Sequence, residues 1–438
     1  MKRYVIIGTG VAGVSAGEAI RRQEPHADIL LIGDERNGYY SRPGLAYYLT
    51  GELNEQQLYP FTERDFHRLN LKPLHARVAQ ISPERHEIRL HDSTQVPFDR
   101  LLISTGASAA HADVKGVELE GVVKLDNLDD ARRILKLARR SRAAVVVGGG
   151  ITALELVEGL RARGVKTHYF LRRDRYWSNV LDETESHIVE KRLKDEGVRI
   201  HYHTDLQEIL GQRGRVVGVR IQDGRQIHCD LVAIAIGIRP RKELAESAGL
   251  ETDRGILVNE YLQTSHPDIF AAGDVAQVYD PFSGKSILDS LWGPAREQGW
   301  TAGLNMSDQR VAYHKAVPFN VTRLAGLTTT IIGTVGRGPD EDLLAIARGD
   351  SETWRQLPDA IAAQDNFDVN RLRIMLGTHT MLGVIVMGDQ TLSRPLHHMV
   401  ANRVDITPIR ARLLRPDVPI ADLVAEFWTD WRQHHTAS

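Results

Sequence analysis

Two glycine-rich turns constrain this chain more than any other feature. Gly8-Thr9-Gly10-Val11-Ala12-Gly13 follows the apolar run Tyr4-Val5-Ile6-Ile7 and opens a helix-like stretch from Val14 to Arg22. Gly148-Gly149-Gly150-Ile151-Thr152-Ala153 follows Ala144-Val145-Val146-Val147 and opens another from Leu154 to Arg163. Glycine lets the chain turn tightly and lets backbone N–H groups approach a pyrophosphate, while the helix N-terminus behind offers partial positive charge. One such turn is a weak signal, because glycines also serve ordinary βα turns. Two in full strand–turn–helix context point to two dinucleotides, and to an enzyme that passes electrons between them.

An acidic side chain about 20 residues downstream should meet a ribose hydroxyl at the end of the next strand. After the first turn, Asp28-Ile29-Leu30-Leu31-Ile32-Gly33 leads to Asp34 and Glu35, which suit a non-phosphorylated ribose such as that of FAD. The second repeat departs from the rule: its strand Val165 to Leu171 ends in Arg172-Arg173-Asp174-Arg175. Arginine there can pair with a 2′-phosphate, which points to NADPH rather than NADH. A solvated basic turn is the competing reading.

At 438 residues the chain predicts two to three domains. Hydrophobic content of 42%, charged content of 26% and a formal net charge of −2 belong to an ordinary globular protein and give no reason to expect nucleic acid. No apolar stretch approaches the length of a membrane span, and the first nucleotide-type strand follows Met1-Lys2-Arg3 directly, so the expectation is a cytoplasmic protein without a membrane role. Cys229 is the single cysteine. It rules out an internal disulfide, a multi-thiolate zinc site and a cysteine-held iron–sulfur cluster within one chain, and reads as a buried structural thiol. The 18 histidines show no metal-ligand spacing; His201 and His203 are expected to share a strand face, and they and His397-His398 read as core or solvent-facing residues.

The hydrophobic pattern divides the sequence into three parts. Residues 1–110 and 241–316 flank an insertion and contain the strand-like runs that end at Ser104-Thr105-Gly106 and at Ala271-Ala272-Gly273-Asp274. Residues 111–240 form an inserted unit, entered through a helix from Leu128 to Arg139 with Asn127 as N-cap and closed by Leu231 to Gly237. Residues 317–438 carry the alternating strands Arg371–Leu376 and Met381–Met387, then helices. In the last helix Ile420, Leu423, Val424, Phe427, Trp428 and Trp431 make one apolar face, opposite Asp422, Glu426 and Asp430. The acidic face is wrong for an anionic membrane; the apolar one packs on its own domain or on a second subunit.

With GTGVAG, the STGA run at Ser104 to Ala107, GGGITALE, GIRP at Gly237 to Pro240 and AAGD at Ala271 to Asp274 in this order, the chain resembles the FAD-dependent pyridine nucleotide–disulfide oxidoreductase family across most of its length. Tyr40-Ser41-Arg42-Pro43 and Leu291-Trp292-Gly293-Pro294-Ala295 look like the branch with rubredoxin reductases and the flavin region of assimilatory nitrite reductase. The resemblance implies an α/β fold: two tandem Rossmann-like domains, FAD-binding with the NAD(P)-binding one inserted, plus an α+β C-terminal interface domain that makes a homodimer. It implies cofactor contacts at Gly8, Gly10, Ala12, Gly13, Asp34, Glu35, Arg42, Pro43, Val78 and the Ser104-Thr105-Gly106 turn. In the inserted unit it implies contacts at Gly148, Gly150, Ile151, Glu155, Arg172, Arg173 and Gly237. Gly273 and Asp274 close the set, with Asp274 accepting from the FAD ribityl chain. Glu155 takes the place of a glutamate near flavin N5, with Arg42 its basic partner. The helix near Ala295 points its N-terminus at the flavin N1–C2 region; Trp292, just before it, lies beside the flavin ring or in the core.

The family's disulfide reductases carry a CxxxxC pair on the first helix, and a related group carries one cysteine near Ser41-Arg42; here there is none. Thiolate chemistry at the flavin is therefore excluded on composition. The implied activity is an NAD(P)H-dependent FAD reductase that passes electrons to a separate rubredoxin- or ferredoxin-like protein or a larger reductase subunit. An NAD(P)H oxidase reducing O₂ and a redox-sensing flavoprotein without substantial turnover are the alternatives. Replacing Arg172 and Arg173 together with neutral residues is expected to move the NADPH:NADH ratio of kcat/KM about tenfold or more toward NADH, the loss of at least one charge-assisted contact. Steady-state kinetics with both coenzymes checks this, and an unchanged ratio removes the NADPH inference.

Overall fold

The computed structural model describes residues 1–281, 284–335, 360–366 and 370–435. Each glycine turn sits at the end of a central strand in its own five-stranded parallel sheet. The first sheet runs Ile269–Ala271, Arg100–Ile103, Arg3–Ile7, Asp28–Gly33, Lys72–His75, with Val5 in register with Leu30 on one side and Leu101 on the other. The second runs Arg199–His201, Lys166–Phe170, Ala143–Val147, Leu231–Ile234, Val122–Val123. Central strands of a parallel sheet are covered on both faces, which is why Tyr4 to Ile7 and Ala144 to Val146 read as unbroken apolar runs and are buried. The two passages between these units pair with each other: Ala107–Ala109 lies antiparallel to Ile238–Pro240.

Helices Val11–Gln23 and Ile151–Ala162 follow the turns, with Gly10 and Gly150 as N-caps. They begin three residues before the expected starts at Val14 and Leu154, because the last positions of each fingerprint already belong to the first helical turn. Helix Leu128–Ala138 is capped as expected: Asp130 N donates to the Asn127 side chain at 2.9 Å. The helix expected near Ala295 spans Trp292–Met306, so Trp292 opens it instead of preceding it. The shared strand face of His201 and His203 is not formed. That strand ends at His201, which meets His168 at 2.9 Å, and His203 turns to φ 48°.

The third unit is a five-stranded antiparallel sheet, ordered Phe319–Leu324, Leu327–Gly333, Met381–Met387, Asn370–Leu376, Ala360–Asn366, followed by helices Ser393–Ala401, Thr407–Leu413 and Ile420–His435. The apolar face of the final helix packs onto this sheet: Ile420, Leu423 and Val424 are buried in its core, with Phe427, Trp428 and Trp431 at the margin. Arg373, 2% exposed, donates to Glu185 at 2.7 Å and Arg371 to Asp182 at 2.6 Å, which fastens the sheet to helix Glu183–Asp195. Cys229 is buried, and burial pushes its thiol up to about 12, the state of a structural cysteine.

Helices Val11–Gln23 and Trp292–Met306 cross at contact distance. A Cβ on Gly299 would stand 2.1 Å from the Ala12 carbonyl oxygen, and one on Gly303 2.5 Å from that of Ala16. Backbone cannot yield there, so Gly299→Ala is expected to destabilise the protein by about 1–3 kcal/mol. Gly293→Ala, where a Cβ meets nothing within 4 Å, should leave the apoprotein as stable or slightly more so. Urea midpoints of the two variants check the contrast; equal midpoints refute the crossing.

Candidate functional site

Both glycine turns open into a single cleft of about 1230 Å³. That exceeds the ~300–1,000 Å³ usual for one small ligand. From the first unit Gly8, Gly10, Asp34, Glu35, Val78 and the Ser104-Thr105-Gly106 turn line it. Arg42, Pro43, Asp274 and Trp292 join them. The inserted unit contributes Gly150, Ile151, Glu155 and Gly237. The fold thus gathers residues from many distant segments at the carboxyl ends of both central strands, where doubly wound sheets bind ligands.

Four expected contact residues are tightly packed against neighbouring parts of the chain. Ala12 is buried beneath Gly299, and a Cβ on Gly13 would lie 2.0 Å from the Gly8 carbonyl oxygen. Gly148, at φ +143°, would meet the Ala235 carbonyl at 2.0 Å, and Gly273, at φ +80°, faces Ala12. Their glycine or alanine identity is set by chain packing, and none of them lines the cleft. Ser104 and Thr105 line it, yet their hydroxyls donate to the Ile7 carbonyl at 3.0 Å and the Arg241 carbonyl at 2.8 Å. Arg172 and Arg173 lie on an exposed turn outside the lining, where Arg172 faces Asp205 at 3.4 Å.

Arg42 and Glu155 share the cleft, and Arg42 pairs with Glu35, seven residues before it, and donates besides to the Asp126 carbonyl. Tyr40 Oη donates to the other Glu35 oxygen at 2.8 Å. Glu35 therefore braces the Arg42 segment. Gly273 N donates to Gln298 Oε1 at 2.8 Å, which fixes the turn that delivers Asp274. Trp292 is 46% exposed at the cleft, so core packing is not its placement.

The cleft fits an extended dinucleotide on three counts. A Cβ on Gly10 or Gly106 would meet no atom within 4 Å, so these backbones face free space where a ligand would lie. Helix Val11–Gln23 aims its N-terminus there. Ser290 Oγ, on the cleft wall, is buried without a hydrogen-bond partner, a polar group placed for a ligand atom.

Sequence reasoning missed Ser290, which carries no signal beyond its closeness to Trp292. It missed Glu158 too, although the three-residue step from Glu155 puts both carboxylates on one face of the Ile151–Ala162 helix. Phe319 to Arg323 of the third sheet also line the cleft, and nothing local in the sequence brings them there. Glu158 accepts from Gly326 N at 3.1 Å, while Arg323 on the same hairpin grips Glu52 with two hydrogen bonds of 2.6 Å.

The family model "Pyridine nucleotide-disulphide oxidoreductase" matches residues 2–299. The chain is 30% identical over 335 residues to an NADH oxidase of Methanocaldococcus jannaschii, covering 74% of each protein. It is 30% identical over 359 residues to the ferredoxin–NAD(+) reductase component of the biphenyl dioxygenase system of Paraburkholderia xenovorans, covering 80% of this chain and 85% of that one. The crystal structure of the ferredoxin reductase for the CYP199A2 system of Rhodopseudomonas palustris superposes with a TM-score of 0.85 over 97% of this chain and 100% of the other, at 22% identity. That likeness is one of fold.

Burial pushes the Glu158 carboxyl from 4.5 up to about 7, against the pull of Arg323 and the Gly326 N–H. The folded state then holds this proton more tightly than the unfolded one, so stability falls as pH rises from about 4.5 to about 7 and stays lowered above. Glu158→Gln keeps an acceptor for Gly326 and removes the ionisation. Its melting temperature relative to wild type is therefore expected to be higher at about pH 8 than at about pH 5, and a pH-independent difference refutes the assignment.

Proposed function

The chain belongs to the pyridine nucleotide-disulphide oxidoreductase family, and on that premise we propose that it oxidises NAD(P)H and passes the electrons to a separate redox protein such as a rubredoxin or ferredoxin. It is an FAD- and NAD(P)-dependent oxidoreductase, like the reductases and the oxidase it resembles. The observation that carries the reading is the single cleft shared by the two glycine turns. Two cofactors bound there lie within one cavity, so electrons need no intervening carrier, and with Cys229 buried outside the lining no thiol can interpose. FAD, when bound, supplies the conversion between two-electron and one-electron chemistry.

In this reading the residues bind, orient and exclude. The first turn and the N-terminus of helix Val11–Gln23 hold the FAD pyrophosphate, and Asp34 takes the ribose, since Glu35 is committed to Arg42 and Tyr40. Asp274 accepts from the ribityl chain, and the N-terminus of helix Trp292–Met306 faces the region where reduction adds negative charge. Gly150, Ile151 and Glu155 receive NAD(P)H, with the Arg172-Arg173 turn selecting NADPH. The division at residues 1–110 with 241–316, 111–240 and 317–438, a homodimer through the last of these and a cytoplasmic setting complete the reading. Among the described residues no helix is long and apolar enough to cross a membrane.

Anaerobic mixing of the yellow protein with NADPH or NADH is expected to bleach the flavin within turnover time, and added rubredoxin or ferredoxin to restore the colour faster than air does. A flavin that stays oxidised under excess coenzyme overturns the proposal. Reoxidation by O₂ with matching peroxide or water formation, and none by either protein, assigns the chain to the oxidases instead.

A further inference from the structure

Outside the cleft lining lies a buried charge cluster around Lys315. Lys315, with its side chain 2% exposed, places Nζ 3.8 Å from Asp280 Oδ1 and 4.0 Å from Asp289 Oδ2. Both carboxylates are buried as well. Those separations are ion-pair distances beyond hydrogen-bond reach, so the ammonium is suspended between two acids and clasped by neither. Asp280 ends strand Ala276–Asp280, and Asp289 follows its antiparallel partner Lys285–Leu288.

The cluster touches the cleft through its neighbours. Ser290, next in the chain, carries the unpartnered buried Oγ on the cleft wall, and Asp274 lines the cleft directly. The groups facing Asp289 are Lys315, then Asp274, Asp280 and Glu297, with the Tyr313 phenol beside it. Arg42, which also lines the cleft, feels the charge of Asp274. Asp280 and Asp289 are buried beside the ammonium, whereas Asp274 lines the cleft and Glu297 is exposed; a buried carboxylate held from its cation by 4.0 Å readily takes up a proton. Asp289 already leans that way: burial, reinforced by Asp274, Asp280 and Glu297, pushes it up to about 6 despite Lys315.

Any further negative charge placed in the cleft raises the proton affinity of this cluster. We propose that Asp289 is a charge-balancing positioning residue, which binds one proton from solvent when the cofactor in the first cradle is reduced and returns it when the electrons leave. No bond to the cofactor forms or breaks: the carboxylate becomes a carboxylic acid at the expense of a solvent proton, and the reverse step restores both. The proposal rests on the FAD reading given above. It adds to that reading the reason for an otherwise costly set of buried charges.

The test is a spectroelectrochemical titration of the flavin midpoint potential in the holoprotein, from about pH 5 to about pH 8. One additional proton per two electrons steepens the pH dependence by about 30 mV per pH unit, a tenfold change in proton activity converted at 29.6 mV. Wild type is expected to show this extra slope above about pH 6, and Asp289→Asn to lack it. Equal slopes in the two proteins overturn the proposal while leaving the FAD reading intact. Should D289N fail to fold or hold flavin, Lys315→Met removes the cation and is expected to move the steep region to higher pH; an unmoved region overturns the proposal. Infrared difference spectra of wild type, reduced minus oxidised, are expected to gain a protonated-carboxyl band, and its absence has the same force. Colourless protein that cannot be reconstituted with flavin defeats the underlying reading before any potential is measured.

Discussion

Helices Val11–Gln23 and Trp292–Met306, from opposite ends of the nucleotide-binding part of the chain, meet backbone to backbone. Gly299 against Ala12 and Gly303 against Ala16 leave no space for a side chain between them. The approach joins two dispersion-rich surfaces and places two helix N-termini at one cleft, each with unsatisfied N–H groups pointing toward incoming negative charge. Gln298 on the second helix then holds Gly273, and so sets where Asp274 stands. The glycine turn, the acid turn and the exposed Trp292 acquire their mutual geometry from this crossing.

Around that fixed centre, the other walls are attached by polar clasps. The third sheet is bound to the inserted unit by Arg371 and Arg373 against Asp182 and Glu185, almost wholly removed from water. Removing one partner of such a pair costs about 3–5 kcal/mol, because the other is left charged and buried. The hairpin around Gly326 closes on Glu158, and Arg323 closes on Glu52, which brings Phe319 to Arg323 to the cleft mouth. The wall contributed by the third unit is thus positioned by charge pairs together with an apolar core shared with the inserted unit, in which Leu324, Met375 and Met387 join Leu156 and Tyr176.

Several expected site residues are also constrained by the packing of the chain itself. Gly13 and Gly148 are small because another backbone runs through the space a side chain would fill, and Gly273, at φ +80°, faces the Cβ atoms of Ala12 and Ala295. A motif records which residue types are tolerated; it does not record whether a ligand or a neighbouring strand imposes the limit. Glu35 and Arg42 illustrate the same point for charge, since an acid expected at a ribose and a base expected at the flavin satisfy each other.

Strand–turn–helix order, the two cradles, the Asn127 cap, the apolar face of the last helix and the absence of a redox thiol were all legible in the residues, because each depends on local spacing or on composition. The merging of two cradles into one cleft, the orphaned Ser290 hydroxyl, the raised Glu158 and the Lys315–Asp280–Asp289 cluster were not. Periodicity specifies which side of an element is buried, but the partner it is buried against is chosen by packing between segments far apart in the chain. Burial and charge proximity exist only once that choice is made, and the chemistry of this cleft follows from them.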